Sequence, residues 1–170
     1  MIVREARPED ARGIARVRVD TWRTTYRGLI PDNYLNQLSY DEKELSYRDK
    51  IADKNNNEYF FIAEEDNAVV GFAICGPERS GYRLYGGEIY AIYVLEAYQR
   101  KGIGRALVKT SIGRLRELGF CSMLLWVLDG NLYCHFYERL GGAPIARKKH
   151  EMNGAELELV AYGWPDISGL

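Results

Sequence analysis

The residues best suited to chemistry form one stretch, Gln99-Arg100-Lys101-Gly102-Ile103-Gly104-Arg105. Gly102 and Gly104 let backbone N–H groups face outward with no Cβ in the way. The flanking patterns place the stretch between a strand ending near Val94 and a helix beginning near Ile103. The first N–H groups of a helix lack intrahelical partners, and the helix dipole favours an anion there. Arg100, Lys101 and Arg105 add positive charge. A phosphate or pyrophosphate is the natural ligand. A plain strand-to-helix turn with solvated basic residues accounts for the same residues, and a bare Gly-x-Gly does not separate the two. The stretch is not Gly-x-x-x-x-Gly-Lys-Ser/Thr. It also lacks the first glycine of Gly-x-Gly-x-x-Gly, and Leu107 stands where the third would be. Nucleoside triphosphatase and dinucleotide sites are therefore weak readings.

The elements that must position this turn follow from periodicity. Ile2 to Ala6 alternates as a short strand, and Pro8-Glu9-Asp10 opens a helix whose face is Ala11, Ile14, Ala15 and Val19. Trp22, Tyr26 and Leu29 are spaced for a turn or short helix with an aromatic face. Pro31 reads as the first residue of a helix running to about Leu38, and Asp41 to Asp53 as a charged helix. The period then changes. Tyr59 to Glu64 and Ala68 to Cys75 read as a hairpin through Asp66-Asn67, and Gly87 to Val94 as a third strand. Gly102 to Glu117 is a helix ended by Gly119. Cys121 to Leu128 is apolar enough for a strand covered on both sides. Leu132 to Leu140 is a short helix. Ile145 to His150 and Ala155 to Tyr162 are strands joined through Met152-Asn153-Gly154. No repeat or linker divides the chain, so one mixed α/β domain over residues 1–170 is expected.

Composition narrows the function. The 23 Lys and Arg against 24 Asp and Glu give a net charge of −1, so no basic excess marks a general nucleic-acid binder. Cys75, Cys121 and Cys134 are too few and odd in number for a disulfide framework, and Cys75 and Cys121 fall in apparent strands where burial is expected. With two histidines and no Cys-x-x-Cys, no metal site is expected. Residues 1–10 lack an apolar core segment, and apolar runs such as Met123 to Leu128 are far too short to span a bilayer. The expectation is a soluble, cytoplasmic protein with no membrane partner. His135 is two residues from Tyr137 and off its helix face, so an exposed histidine is expected there. Cys134 is read as an inert small hydrophobe. The 13 Tyr against 5 Phe suit a polar-rimmed cleft, though surface tyrosines account for them equally well.

Several motifs in order resemble the GNAT family of N-acetyltransferases. Its acetyl-CoA loop, Gln/Arg-x-x-Gly-x-Gly/Ala, is matched by Gln99 to Gly104. Its apolar-x-Val strand end is matched by Ile92-Tyr93-Val94, although Leu95-Glu96-Ala97 lacks the usual proline. Its Asn…Phe-Tyr-Glu-x-x-Gly pattern is matched by Asn131 and Phe136-Tyr137-Glu138-Arg139-Leu140-Gly141, with Gly142 where an aromatic residue is usual. The stretch Trp22-Arg23-x-x-Tyr26-x-Gly28-x-Ile30-Pro31 looks like a broad bacterial subgroup of the family. The resemblance covers essentially the whole chain. It implies an α/β fold with a central, mostly antiparallel twisted sheet, splayed at a central parallel strand pair, with helices on both faces. An acetyl-CoA-binding core over about 59–141 and acceptor-side helices over about 10–53 would follow.

The resemblance also implies roles. The backbone of Ile92, Tyr93 and Val94 would hold the pantetheine arm, with the Val94 N–H near the thioester carbonyl as an oxyanion donor. The N–H groups of Arg100, Lys101, Gly102, Ile103, Gly104 and Arg105 would hold the pyrophosphate, with Gln99 opening the loop. Asn131 would hydrogen-bond the cofactor arm, or simply cap its turn. Tyr137 would lie near the thioester sulfur and protonate the departing thiolate, a phenol of pKa about 10 serving a thiol of about 8.5. It would otherwise be a packing residue. An ammonium of pKa near about 10.4 must lose a proton before it attacks, and Glu88 would take it. A solvent-facing strand-end charge is the other reading of Glu88. Trp22, Tyr26 and Tyr90 would line the acceptor pocket, or belong to the core. An aromatic, carboxylate-bearing pocket would suit a cationic amine through cation–π and ionic contacts.

Acetyl-CoA-dependent transfer to a primary amine, of a small molecule by preference, is the leading function. A protein lysine or N-terminal acetyltransferase, or a non-catalytic acyl-CoA sensor, are the alternatives. A chance glycine turn in an interaction protein fits least. The C-terminal hairpin with Trp164 offers a homodimer contact.

Overall fold

The structure is a computed structural model, and it describes residues 1–131 and 133–170. One seven-stranded sheet forms the centre, in the order β1-β2-β3-β4-β5-β7-β6. The strands are β1 (Ile2–Glu5), β2 (Tyr59–Glu65), β3 (Ala68–Pro77), β4 (Gly87–Val94), β5 (Met123–Leu128), β6 (Ala143–Met152) and β7 (Ala155–Trp164). All neighbours pair antiparallel except β4 and β5. That parallel pair requires a crossover, supplied by α4 (Ile103–Glu117). Helices α1 (Ala11–Thr25), α2 (Asp32–Gln37) and α3 (Tyr40–Ala52) precede β2, and α5 (Cys134–Arg139) follows β5. Leu132, the expected first residue of the short helix that α5 now represents, lies outside the described residues. No helix among the described residues is long and apolar enough to cross a membrane.

Strand alternation distributes the core between the two faces. Phe61, Ala63, Val70, Ala73, Cys75, Met123, Leu125 and Val127 turn to one face, where Ile103, Leu107, Val108, Ile112 and Leu115 of α4 cover them. Phe60, Ile62, Val69, Phe72 and Ile74 turn to the other, under Ile14, Ala15 and Val17 of α1 and Tyr47 of α3. Strand β3 is thus apolar along its length because both faces are covered. A third cluster joins Trp22, Tyr26, Ile30 and Leu35 to Leu128 and Leu157, with Met152 and Ala155 of the β6–β7 hairpin against it. This cluster roofs the α1 face at the C-terminal ends of β4 and β5.

The sheet opens at β4. The β3–β4 register pairs Ile74 with Ala91 but Cys75 with Ile89, so Tyr90 is an extra residue, a β-bulge. A bulge bends its strand. Beyond it β4 leaves β5: their pairing consists of Gly87 with Met123 and Glu88 with Leu124. The rest of the two strands diverges into a slot.

Several expectations need correction. The first helix runs on through Trp22 to Thr25, with Tyr26 as its cap, so no separate short helix exists there, and Leu29 is exposed. Four of the five residues from Thr21 to Thr25 are weak helix formers, Arg23 being the exception, and packing of Trp22 overrides their cost. Pro31 caps α2 from outside the helix. Cys121 precedes β5 and is exposed. Trp164 is buried rather than offered to a partner: its Nε1 donates to the Leu140 carbonyl at 2.9 Å. Its ring also explains Gly142. A Cβ there would lie 2.4 Å from Trp164 Cζ2, so the aromatic volume expected after Gly141 comes from β7 instead.

Candidate active site

The glycine turn sits where the slot widens. Leu95 N–H donates to the Val70 carbonyl at 2.9 Å. In an antiparallel ladder, residues alternate between bonding the neighbour and pointing away. That bond fixes the phase, so Tyr93 and Leu95 bond toward β3, while Ile92 and Val94 turn their N–H and C=O groups toward the gap beside β5. The Val94 carbonyl accepts from Gln99 Nε2 at 3.0 Å, which agrees. Arg100 is in the left-handed region at φ +61°, and Gly102 at φ +86° forms the N-cap of α4. No side chain caps that terminus. The N–H groups of Ile103, Gly104 and Arg105 therefore lack helical partners. The chain presents a row of uncommitted backbone donors along one lip of the slot and across its mouth. These donors fit an anion followed by an amide-bearing arm, which is the donor set a pyrophosphate with a pantetheine tail requires.

Across the slot, Asn131 is buried and spends its Oδ1 on the Tyr133 N–H at 3.0 Å, capping its own turn. Tyr133, missed in the sequence, reaches back to Gln99 Oε1 at 2.8 Å and ties together the loops that follow β4 and β5. Tyr137 on α5 is buried, its ring against Phe136 at 5.3 Å and Tyr162 at 5.8 Å. Burial, with Tyr93 and Cys134 nearby, pushes its pKa upward. Its hydroxyl therefore keeps its proton at neutral pH. His135 on the opposite side is exposed and pairs with Glu138.

Tyr26 is also buried and meets Trp22 edge-on at 5.0 Å. Burial raises its pKa, and so do the adjacent Tyr93 and Tyr137. Three phenols from α1, β4 and α5 thus converge beside the slot. The sequence gives Tyr93 a backbone role alone; its side chain also belongs to this group. Arg18, four residues before Trp22, completes it: Nη1 donates to the Tyr93 hydroxyl at 2.6 Å. The signal available was the helical spacing of Arg18, Trp22 and Tyr26.

Glu88 belongs to a second group, at the closed end of the slot. It is 5% exposed, not the solvent-facing charge that a strand end would suggest. Burial raises its pKa, while the Arg79 N–H at 2.9 Å and the Arg79 guanidinium at 3.7 Å hold the rise in check. Arg79 also lies 3.4 Å over the Tyr90 ring and pairs with Glu58. The Tyr90 hydroxyl donates to the Pro77 carbonyl at 2.5 Å and crosses Gly76, where a Cβ would meet it at 2.5 Å. Trp126 of β5 lies nearby, its Nε1 on Ser80 and Lys148 over its ring at 3.9 Å.

Two of the three expected pocket aromatics, Trp22 and Tyr90, already carry an arginine of the chain on one face. Arg18 stacks on Trp22 at 3.9 Å and Tyr93 at 4.9 Å, and Arg79 covers Tyr90.

A family description, Acetyltransferase (GNAT) family, matches residues 19–142. The chain belongs to the GNAT acetyltransferase family. It is 44% identical over 168 residues to the uncharacterized N-acetyltransferase YuaI of Bacillus subtilis, covering 99% of this chain and 95% of that one. The GNAT fold recurs in the PaiA N-acetyltransferase of Thermoplasma acidophilum in complex with coenzyme A, with TM-score 0.72, 18% identity, and coverage of 96% of this chain and 98% of that one. It recurs in the putative acetyltransferase yncA of Salmonella typhimurium with acetyl-CoA, with TM-score 0.68, 20% identity, and coverage of 99% and 96%. This GNAT chain is an acetyl-CoA-dependent acetyltransferase by class, with the splayed parallel pair and two-faced sheet that the sequence implied.

Proposed function

We propose that this acetyltransferase moves an acetyl group from acetyl-CoA to a primary amine of a small molecule, with both substrates bound together. The observation that carries this reading is the continuous line of backbone donors from Ile92 and Val94 to the uncapped start of α4. The N–H groups of Gly102 to Arg105 would hold the pyrophosphate, helped by Arg100 and Lys101. Ile92 and Val94 would pair with the amide-bearing arm as an added strand. Both N–H groups face the slot, so one can serve the arm while the other, Val94 by the family resemblance, polarises the thioester carbonyl; Ile92 lies deeper, nearer Glu88. Bound acetyl-CoA supplies an acetyl group activated as a thioester, whose thiol has a pKa of about 8.5.

Tyr137 holds a proton at its hydroxyl and delivers it to the departing sulfur. Glu88 takes the proton from the incoming ammonium, directly or through water. Its burial suits this, since a carboxylate of raised pKa is a better base than an ordinary one. The side chains roofing the acceptor end support a small substrate. Trp22, Tyr26, Ile30 and Leu35 pack against Leu128 and Leu157 and cover that end with large apolar side chains.

The test is CoA release from acetyl-CoA across a panel of amines, amino acids and peptides, with calorimetry for acetyl-CoA itself. Turnover confined to small amines supports the reading. Preference for peptides, or acetyl-CoA binding with no release across the panel, overturns it in favour of a protein acetyltransferase or a sensor.

A further inference from the structure

Among the described residues, four buried side-chain N or O atoms have no hydrogen-bond partner: Arg18 Nε, Thr21 Oγ1, Trp22 Nε1 and Arg114 Nε. Three of the four belong to one stretch of α1. Residues i, i+3 and i+4 share a helix face, so Arg18, Thr21 and Trp22 look the same way. Such atoms are uncommon, because each costs the hydration it has lost. Three on one face form a group of polar atoms that a single ligand would satisfy together.

Their chemistry is one-sided. An arginine Nε–H and an indole Nε1–H can donate and cannot accept, and a threonine hydroxyl can donate. Arg18 is also a cation without a counter-ion: six other arginines form ion pairs with carboxylates, and Arg18 has none among the described residues. Its one bond goes to a neutral phenol, Tyr93. The guanidinium is held rigid between the Trp22 and Tyr93 rings, 3.9 and 4.9 Å from their centroids. Lys43 of α3 lies near enough that Arg18, after burial, helps lower its pKa. The ligand that satisfies such a set is an oxyanion, and a planar carboxylate matches the guanidinium edge. A purely cationic amine would be repelled and would leave the donors unpaired.

We propose that Arg18, with Thr21 and Trp22, binds a carboxylate on the acceptor, so that the acceptor is an amino acid or a similar amino-carboxylate. This rests on the acetyl-transfer reading above and specifies its acceptor. The carboxylate sits at Arg18, and Tyr93 and Tyr26 lead from there toward Tyr137, where the amine reacts. Arg18 is a specificity-determining residue and takes no part in the proton transfers.

The experiment compares L-amino acids with their carboxamides, pair by pair, and phosphoethanolamine with ethanolamine. Binding is measured by calorimetry with CoA present, and kcat and KM by CoA release. In the wild type, the acids should bind roughly 10- to 100-fold more tightly than their amides, the usual consequence of leaving a charged site unpaired. Arg18→Met keeps the stem and removes the charge. It should raise KM for the acids by a similar factor of about 10 to 100, leave kcat within a few-fold and leave the amides nearly unchanged. Arg18→Lys should fall between, since it keeps the charge and loses the planar edge. Circular dichroism and acetyl-CoA affinity should match wild type in both variants. Equal binding of acids and amides, tighter binding of phosphoethanolamine than of any carboxylate, no binding of any acid, or lost acetyl-CoA affinity in both variants would each overturn the proposal. Failure of CoA release with every acceptor, while acids still outbind amides, would sink the catalytic reading and leave the carboxylate site standing.

Discussion

The two ends of the slot are built by opposite means. At its mouth, one run of consecutive residues, Gln99 to Arg105, supplies the turn, the uncapped helix start and the positive charge. The donors are backbone groups, so side-chain identity matters mainly where glycine permits the geometry. On the acceptor side, the groups come from α1, β4, β5 and α5 and from the loop that carries Arg79. Most are side chains, each placed by its own packing, with the Arg79 backbone N–H holding Glu88. A site made from backbone tolerates change at most of its positions and fails at its glycines. A site made from side chains can change its ligand one residue at a time while the fold persists.

That contrast can be broken most severely at Tyr137. Tyr137→Phe keeps the ring packing against Phe136 and Tyr162 and removes the proton. The expected loss in kcat is about 10²- to 10⁴-fold with acetyl-CoA affinity unchanged, read by steady-state kinetics and calorimetry. Activity within a few-fold of wild type would make Tyr137 a packing residue.

Gly104→Asp attacks the mouth. A carboxylate in the first turn suits the helix dipole, so α4 should persist, but it competes with phosphate for the same N–H groups. Its Cβ would lie 3.3 Å from Phe136 Cζ, a contact that a small ring shift relieves. Acetyl-CoA should bind roughly 10- to 100-fold more weakly, with little change in Tm. Unchanged affinity would remove the turn from the site.

Glu88 gives the pH test. Its pKa is raised in the folded chain, and a base must be ionised, so the acid limb of kcat/KM should lie above the ordinary glutamate value of about 4.3. Glu88→Gln should abolish that limb and lower kcat/KM by about 10²-fold. The stability linkage has the reverse sense. A carboxyl with a raised folded pKa favours folding below its unfolded pKa, and that advantage is lost as pH rises through the folded value. The Tm of Glu88→Gln relative to wild type should therefore climb across the same window. An unchanged pH profile would return Glu88 to a structural role. Arg79→Met should move the limb to still higher pH, because the lost guanidinium had favoured the ionised form.

The smallest effect belongs to the support beneath. Gly142→Ala would drive a Cβ into the Trp164 ring and should cost about 1–3 kcal/mol of stability, measured by chemical denaturation. Acetyl-CoA affinity measured well below Tm should be unchanged.

The sequence by itself determined the elements and the turn. The short apolar run Phe60 to Ala63, buried on both faces of the sheet, and the helical spacing in Ile103 to Leu115 are local, short-range signals of side-chain burial. The Gly-x-Gly stretch could be read for the same reason, since its donors are contiguous in the chain. Tertiary structure decided the rest. Whether Tyr90 forms a bulge depends on its partner strand, and the opening of β4 from β5 depends on that bulge. Whether Trp22 offers a free face depends on Arg18, and whether Glu88 meets solvent depends on a loop that folds back over it. Long-range contacts of this kind leave no periodic trace, because they join residues whose separation along the chain carries no information about their distance in space.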